Sequence, residues 1–362
     1  AAAAGSSDTS DGGAAAEVDT STLTVALTSE PDYLSTCDHD SLMGVQMNLL
    51  TYNGLMRIDM ETLEPVCDLA ESYTQDSDTE WTFTLKQGVK FHNGETLTAE
   101  DCLFSIQNNS YAWMWGAIDR ENSYCEDDLT LVVKTYEAYP ALVNMLSSEC
   151  PIICKSAWEE MGEDGFSRNP VGTGPYKFVS WTKQSNVTLE ANEEYWDTEN
   201  MPKTKNVVFR IIPENNTRVT ALTNGEVDII DGVDLASVDQ ITNNGYELFA
   251  EDGMTINYMA FNTDSGVCTD KEVRKAIAQA VNVEELVKTV YGDYATVATS
   301  VMPFFMAPYV EDIKQTEYDP EAAKATLAAK GVTELACMTY TNSRPYNTKG
   351  GSELARLIQG YL

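Results

Sequence analysis

The side chains that most often carry catalysis are scarce in this chain. Histidine occurs only at His39 and His92, and neither lies in an HExxH or HxxxH spacing. The chain has no GxSxG nucleophile turn, no GxxxxGKS or GxxxxGKT phosphate loop and no GxGxxG dinucleotide turn. Its 57 acidic residues make chance pairs unavoidable, so counting does not exclude an acid/base pair of the glycosidase kind. Because no nucleophile, base and metal ligands converge in the sequence, an enzyme is not favoured.

Two short acidic runs contain the oxygen ligands that calcium prefers, Asp76-Ser77-Asp78 and Glu126-Asp127-Asp128. Neither run has the glycine and the downstream glutamate of an EF-hand loop. We therefore interpret both runs as solvated acids in turns.

A run of aromatic residues is the strongest candidate for ligand binding. Tyr111, Trp113 and Trp115 lie in the segment NNSYAWMWGAID, which lacks the alternation of a strand. Aromatic side chains offer a large apolar contact at a low entropic cost, and they stack on ligand groups. The segment predicts either a loop that contacts a ligand or a set of packing residues, and the residues alone leave both open.

The length and composition indicate globular structure with more than one domain. The chain has 362 residues, of which 43% are hydrophobic and 9% aromatic. Its net charge of −34 repels phosphate backbones and anionic lipid headgroups, which argues against nucleic-acid binding. No stretch approaches the ~18 uninterrupted apolar residues that a membrane helix needs.

Eight cysteines are scattered along the chain, and none forms a CxxC pair. A zinc ribbon or a thioredoxin-like site is therefore not expected. Cys102 falls on an apolar helical face, which predicts a small buried hydrophobic residue. Outside the cytoplasm a disulfide is possible, for example between two of Cys125, Cys150 and Cys154, and the sequence leaves the pairing open.

Residues 1–18 are small, polar and of low complexity, which predicts a flexible leader. Such a segment is typical of a tether between a lipidated N-terminus and a folded receptor. It is equally typical of a cloning remnant or a disordered tail, and these alternatives stay open.

Alternating and helical patterns predict mixed α/β structure. Strands are predicted at 23–27, 81–85, 129–134, 176–181, 187–189, 207–212, 227–230, 246–250, 254–261 and 335–341. Helices are predicted to begin near 45, 98, 141, 216, 270, 319 and 353, and the helix that begins near 270 is predicted to continue through 286–290 until Gly292. The strand–helix–strand order over 207–230 predicts a parallel α/β unit.

The segment Arg168–Trp181 joins an irregular turn to a strand. Pro170 prevents a continuing helix, and Gly172 and Gly174 permit backbone angles that are closed to other residues. Pro175 then fixes φ just before alternating aromatic residues. The segment predicts a turn that enters an edge strand.

Several segments have a distinctive wording: SEPD at 29–32, YNGL at 52–55, PVCDLAESY at 65–73, WTFTLKQGVKFHNGETLTAEDCLFS at 81–105, VGTGPYKF at 171–178, VRKAIAQAVN at 273–282 and YDPEAAKATLAAKG at 318–331. Together they resemble the family 5 extracellular solute-binding proteins, the peptide- and nickel-binding receptors of ABC importers. The resemblance covers about residues 22 to 362, and the segment at 81–105 is the most specific.

The resemblance implies an α/β fold of the periplasmic-binding-protein type (type II, the class with an extra lobe), with two lobes around a ligand cleft and mixed sheets. It implies lobe I at 19–50 and 170–258 and a small extra lobe II at 51–169. Lobe III, at 259–362, would be incomplete because family members run further. The segment at 171–178 would carry the chain from lobe II back into lobe I.

The resemblance also implies that one apolar face of the predicted C-terminal helix is buried in family members. Leu354, Leu357, Ile358 and Tyr361 share one face, which family members bury against later elements. We therefore expect this face to be exposed here and peptide binding by this chain to be weak.

The function implied by the resemblance is that of an extracytoplasmic solute-binding component that binds di- or oligopeptides and delivers them to a membrane permease. It implies no enzymatic activity, no cofactor, no bound metal, a monomer and a lipid anchor. Nickel-chelate or oligosaccharide binding on the same fold, or a sensory or adhesion receptor, are the alternatives.

The resemblance places ligand contacts in two loops. A ligand-facing aromatic residue is implied in the loop that holds Tyr111, Trp113 and Trp115, and it favours the two tryptophans. The first loop reaches the cleft near Asp40 and Leu42, partly through its backbone. Asp40 is a candidate partner for a ligand amine, with an ordinary exposed loop acid as the alternative.

Overall fold

The computed structural model describes residues 2–4, 21–35, 42–109, 116–148, 150–306, 309–341 and 351–362. The chain divides into two compact units. The first unit is Ser6–Asp231, and the second is Gly232–Leu362 with Ala1–Gly5. The three-lobe division implied by the resemblance stays a prediction.

The described strands are β1 (Ala2–Ala4), β2 (Thr22–Leu27), β3 (Met56–Ile58), β4 (Pro65–Cys67), β5 (Ala70–Ser77), β6 (Glu80–Leu85), β7 (Tyr124–Asp127), β8 (Thr130–Lys134), β9 (Tyr176–Thr182), β10 (Asn186–Ala191), β11 (Asn206–Ile211), β12 (Ile229–Ile230) and β13 (Tyr246–Leu248). The described helices are α1 (Leu42–Thr51), α2 (Ala99–Asn108), α3 (Leu142–Ser148), α4 (Lys155–Phe166), α5 (Asn215–Thr223), α6 (Val238–Asn243), α7 (Lys271–Ala280), α8 (Val283–Tyr291), α9 (Pro320–Ala329) and α10 (Gly351–Tyr361).

The larger sheet of the first unit has both parallel and antiparallel pairs. β2 lies between β11 and β12 and is parallel to both, and β10 pairs antiparallel with β11 and with β9. The order β11–α5–β12 is the parallel strand–helix–strand unit that the sequence predicts. β9 is at the edge of this sheet, as the pattern of aromatic residues after the proline indicates.

A separate four-stranded antiparallel sheet, in the order β5-β6-β8-β7, forms the second layer of the first unit. Its strand β6 alternates strictly: Trp81, Phe83 and Leu85 are buried in one continuous core, while the threonines between them are not. Helix α2 packs on the same core through its buried residue Cys102. At its start the Asp101 carboxylate accepts hydrogen bonds from the backbone N–H of Thr98, at 3.0 Å, and from its hydroxyl, at 2.8 Å.

The second unit is mainly helical. Asp270 caps α7 and forms an ion pair with Lys330 at 2.6 Å, just after α9. Helix α9 begins with the predicted Asp319 cap and first-turn proline. Strand β1 pairs antiparallel with β13. The predicted leader over residues 1–18 therefore has a strand at residues 2–4, and residues 5–20 lie outside the described part.

Two predicted strands of the second unit are wrong. Residues 254–261 and 335–341 are all described, and neither segment forms a strand. Alternation alone does not make a strand, because each strand needs a partner for its backbone N–H and C=O groups.

The expected exposure of the C-terminal helix face is also wrong. Four apolar side chains of α10 pack against Leu286 and Val290 of α8 and against Val281, which lies two residues before that helix. They are Leu354, Leu357, Ile358 and Tyr361. The Tyr361 hydroxyl additionally donates to the Glu285 carboxylate at 3.0 Å. The face is therefore half-buried within its own unit.

The seven described cysteines are all free thiols, so no disulfide joins any two of Cys125, Cys150 and Cys154. Cys102 is fully buried as predicted, and burial raises the pKa of its thiol. Among the described helices, none is long and apolar enough to cross a membrane.

Candidate functional site

The predicted ligand contacts fall mostly on residues that the structure does not describe. Asp40, Tyr111, Trp113 and Trp115 lie outside the described residues. Leu42 is the first residue of helix α1. Their assignment to a ligand therefore stays a prediction, and the described residues next to them define the candidate site.

A groove adjoins the aromatic loop on its C-terminal side. It has a volume of about 430 Å³ and is lined by Gly116, Ala117, Tyr136, Glu137, Ala138 and Tyr139. Gly116 follows the last tryptophan of the loop directly. The Tyr136 ring, which is 59% exposed, offers an apolar face at this groove. The groove therefore begins at the residue that directly follows the predicted aromatic contacts in the chain.

The chain leaving the aromatic loop is held firmly by the end of β8. Ile118 is fully buried and forms a β-bridge with Thr135. The backbone N–H of Tyr136 donates to the Ala117 carbonyl at 3.1 Å, and that of Asp119 donates to the Lys134 carbonyl at 2.8 Å. The described chain that follows the aromatic segment is therefore anchored to the end of β8 through its backbone.

The glycine-rich segment at 171–178 enters β9 directly against the C-terminus of α1. The Gly174 N–H donates to the Thr51 carbonyl at 3.0 Å, which satisfies one of the free carbonyls at the end of that helix. A Cβ on Gly172 would overlap the same Thr51 carbonyl oxygen and lie 2.6 Å from Cδ1 of Tyr52. A Cβ on Gly174 would lie 2.5 Å from the Leu50 carbonyl oxygen. Glycine is needed here for close approach of two backbones, not for a positive φ.

His92 closes the other side of this segment. Its backbone N–H donates to the Gly172 carbonyl at 2.9 Å, and its ring Nε2 donates to the Gly174 carbonyl at 3.0 Å. The Gly172 N–H lies 3.4 Å from the ring Nδ1, which accepts only when it is unprotonated. Burial lowers the pKa of His92 to about 4, so the neutral ring is the form that the geometry requires.

Asn53 connects three parts of the first unit through its side-chain amide. The nitrogen donates to the Asp68 carboxylate at 3.0 Å and to the Tyr195 hydroxyl at 3.2 Å. The oxygen accepts from the Thr173 hydroxyl at 3.1 Å and from the Trp196 indole N–H at 3.2 Å. All four hydrogen-bonding positions of the amide are therefore used.

Lys86 completes the surroundings of Asp68. Its ammonium group donates to the Asp68 backbone carbonyl at 2.5 Å and lies 4.4 Å from the centre of the Trp196 ring. Burial raises the pKa of the Asp68 carboxyl, and the hydrogen bond from Asn53 opposes that shift. Burial likewise raises the pKa of Tyr195 to about 12, so its hydroxyl stays protonated.

These polar groups form a structural joint where α1, β4, β9 and the chain after β10 meet. We call it the crossover joint and define it as Asn53, Asp68, His92, Gly172–Gly174 and Tyr195–Trp196. The hydrogen bonds named above join these polar side chains to one another or to the backbone, which is the arrangement of a structural joint. Among the described residues there is also no group of three or more His, Cys, Asp or Glu side chains that could hold a metal ion. The sequence singles out the glycines and His92 separately, but it does not predict that the side chain of Asn53 hydrogen-bonds to the glycine-rich segment.

The described part of the first unit thus combines a mixed α/β sheet, a small antiparallel sheet and a groove that begins at Gly116. The model of the bacterial extracellular solute-binding proteins, family 5 middle, matches residues 64–362. The chain therefore belongs to this family. Its members are solute-binding proteins and not enzymes.

The chain is 26% identical over 383 residues to the dipeptide-binding protein of Escherichia coli (strain K12), covering 93% of this chain and 71% of that protein. It is 29% identical over 308 residues to the glutathione-binding protein of Salmonella typhi, covering 82% of this chain and 59% of that protein. The periplasmic binding protein DppA of Helicobacter pylori, associated with an ABC transporter and solved with the peptide STSA, superimposes with a TM-score of 0.81. It is 24% identical and covers 94% of this chain and 71% of that one. The type II periplasmic-binding-protein fold is thereby confirmed.

Proposed function

We propose that this chain is the solute-binding component of an ABC importer and that its solute is a di- or oligopeptide. The observation that carries the proposal is the membership of family 5 together with relatives that bind a dipeptide, glutathione and the peptide STSA. Glutathione is itself a tripeptide, so these relatives share one class of ligand. The protein works outside the cytoplasm and delivers the peptide to a membrane permease.

A peptide fits the chemistry of the two candidate loops. Asp40 provides a carboxylate for the peptide amine, with the start of α1 at Leu42 beside it. Tyr111, Trp113 and Trp115 provide apolar faces for side chains, and the groove next to them receives parts of the ligand that extend past the rings. Extended backbone hydrogen bonds supply the remaining affinity with little dependence on peptide sequence.

The partners and location follow from the same proposal. The permease is the macromolecular partner, the protein acts as a monomer, and it binds no nucleic acid because of its net charge of −34. A lipid anchor at the membrane keeps it near the permease.

Isothermal titration with a defined dipeptide tests the proposal. The chain should bind an unblocked dipeptide, and Asp40→Asn should weaken that binding by about tenfold because a charged hydrogen bond is lost. The matched ligand is the same dipeptide with an acetylated amine, for which the two chains should have the same affinity.

Native mass spectrometry of the purified chain gives an independent result. A retained mass that fragments as a peptide supports the proposal. Binding of a nickel–histidine chelate or an oligosaccharide, with no binding of any unblocked peptide, overturns it in favour of one of the other ligand classes.

A further inference from the structure

The turn between β3 and β4 presents two large apolar side chains to solvent. We call residues 59–64, with the sequence DMETLE, the hairpin tip. Met60 is 83% exposed and Leu63 is 66% exposed. Both lie on one short turn between strands that are antiparallel and in register.

The hairpin tip is ordered by its own hydrogen bonds. The Asp59 carboxylate accepts from the backbone N–H of Glu61 at 3.0 Å, and from the N–H and hydroxyl of Thr62 at 2.9 and 3.1 Å. The Leu63 N–H donates to the Asp59 carbonyl at 2.8 Å, and the Asp59 N–H donates to the Glu64 carbonyl at 2.9 Å. The backbone that carries the two apolar side chains is therefore ordered before any partner arrives, which lowers the entropic cost of binding.

Leu63 adopts a conformation that a leucine seldom takes. Its φ is +59°, in the left-handed region where glycine or asparagine is usual in such turns. Among the described residues other than glycine, only Gln184 shares a positive φ, and it lies in the turn between β9 and β10. Backbone strain of this kind lowers stability, and it concentrates at functional positions. Within the fold, the exposed side chain of Leu63 gains little burial that would offset this strain.

The charge around the tip restricts the kind of partner. The tip carries the three carboxylates of Asp59, Glu61 and Glu64 next to the two apolar residues in sequence, and the whole chain has a net charge of −34. An anionic lipid surface repels such a tip, and so does the same tip of a second copy. The surface that fits is an apolar pocket on another protein with lysine or arginine side chains at its rim.

We propose that the hairpin tip is a docking site for the permease of the importer, which receives Met60 and Leu63 in an apolar pocket with a basic rim. This inference rests on the proposed transport function, because that function supplies the permease as the partner. The two apolar side chains provide the affinity, and the three carboxylates set the orientation and the rate of association.

The test uses the permease complex of the same importer in proteoliposomes, with ATP hydrolysis measured against the concentration of peptide-loaded chain. The variant is Met60→Gln with Leu63→Gly, which removes both apolar side chains and places glycine at the positive φ. The matched control is Gln184→Gly, which relieves the same backbone strain at a distant turn. Dipeptide affinity and melting temperature are measured for all three chains.

We expect half-maximal stimulation of ATP hydrolysis to require an about tenfold higher concentration of the double variant than of the unchanged chain. This corresponds to the loss of one or two contact residues of a protein interface. Its melting temperature should be equal to or above that of the unchanged chain, as for Gln184→Gly, because glycine is favoured at both positions. Stimulation by the unchanged chain should also fall as ionic strength rises.

The outcomes separate the inference from the function on which it rests. If the unchanged chain binds dipeptide and stimulates ATP hydrolysis, but the double variant does so equally well, the docking inference is wrong and the transport function stands. If the unchanged chain does not stimulate hydrolysis, the transport function is wrong and the inference falls with it. A dimer in light scattering that the double variant abolishes assigns the tip to a second copy and also overturns the inference.

Discussion

Alanine at Gly172 or Gly174 tests how closely the crossover joint is packed. Each substitution adds one methyl group against backbone atoms, those of Thr51 at Gly172 and those of Leu50 and Thr51 at Gly174. Those atoms are fixed by the last turn of α1, so they cannot turn aside as the end of a flexible side chain would. Overpacking of this kind costs about 3 kcal/mol, at the upper end of the usual range for inserted methyl groups.

The expected loss is measurable as a melting temperature. For a unit of this size each kcal/mol lowers the melting temperature by about 2–4 °C, so we expect a fall of roughly 6–12 °C for each variant. Circular dichroism on heating measures it. Gly116→Ala is the matched control, because a Cβ there has no atom within 4 Å and the φ is not positive. Melting temperatures of Gly172→Ala and Gly174→Ala that equal the control would refute the close approach at this segment.

Three further predictions concern the joint and the site. Asn53→Ala should lower the free energy of unfolding by about 2–4 kcal/mol, because it leaves several buried partners without a hydrogen bond; urea unfolding measures this, and Asn200→Ala, at an exposed turn, should change it little. The neutral His92 ring, with its pKa lowered to about 4, should make the free energy of unfolding fall by about 3 kcal/mol as the pH drops from 6.5 to 4, since only the unfolded chain takes up the proton there; urea unfolding of His92→Gln should lack this fall, and an identical pH dependence would contradict the assignment. Trp113→Ala combined with Trp115→Ala should weaken peptide binding by about 1–3 kcal/mol in calorimetry, whereas unchanged affinity with a lowered melting temperature would show that the two rings are packing residues.

Much of the fold could be predicted because its signals are local. The alternation in β6 and the cap at Asp270 each depend on a few neighbouring residues, and the structure confirms both. The strand predictions at 254–261 and 335–341 were wrong because strand formation also requires a pairing partner, and that partner is set by residues far away in the chain. The packing of α10 on α8 was missed in the same way, since the sequence shows that a face is apolar but not what covers it.

The crossover joint is built from three of the segments that carry the family resemblance. Asn53 comes from YNGL, His92 from KFHNG, and Gly172–Gly174 from VGTGPYKF, and these separate segments meet through the hydrogen bonds of the joint. Each is therefore constrained by the packing of one backbone against another, which is the same whatever solute is bound. The predicted solute contacts Asp40, Leu42, Tyr111, Trp113 and Trp115 belong to none of these segments. Family membership can thus be recognised from these segments, whereas the identity of the peptide depends on other residues and has to be measured.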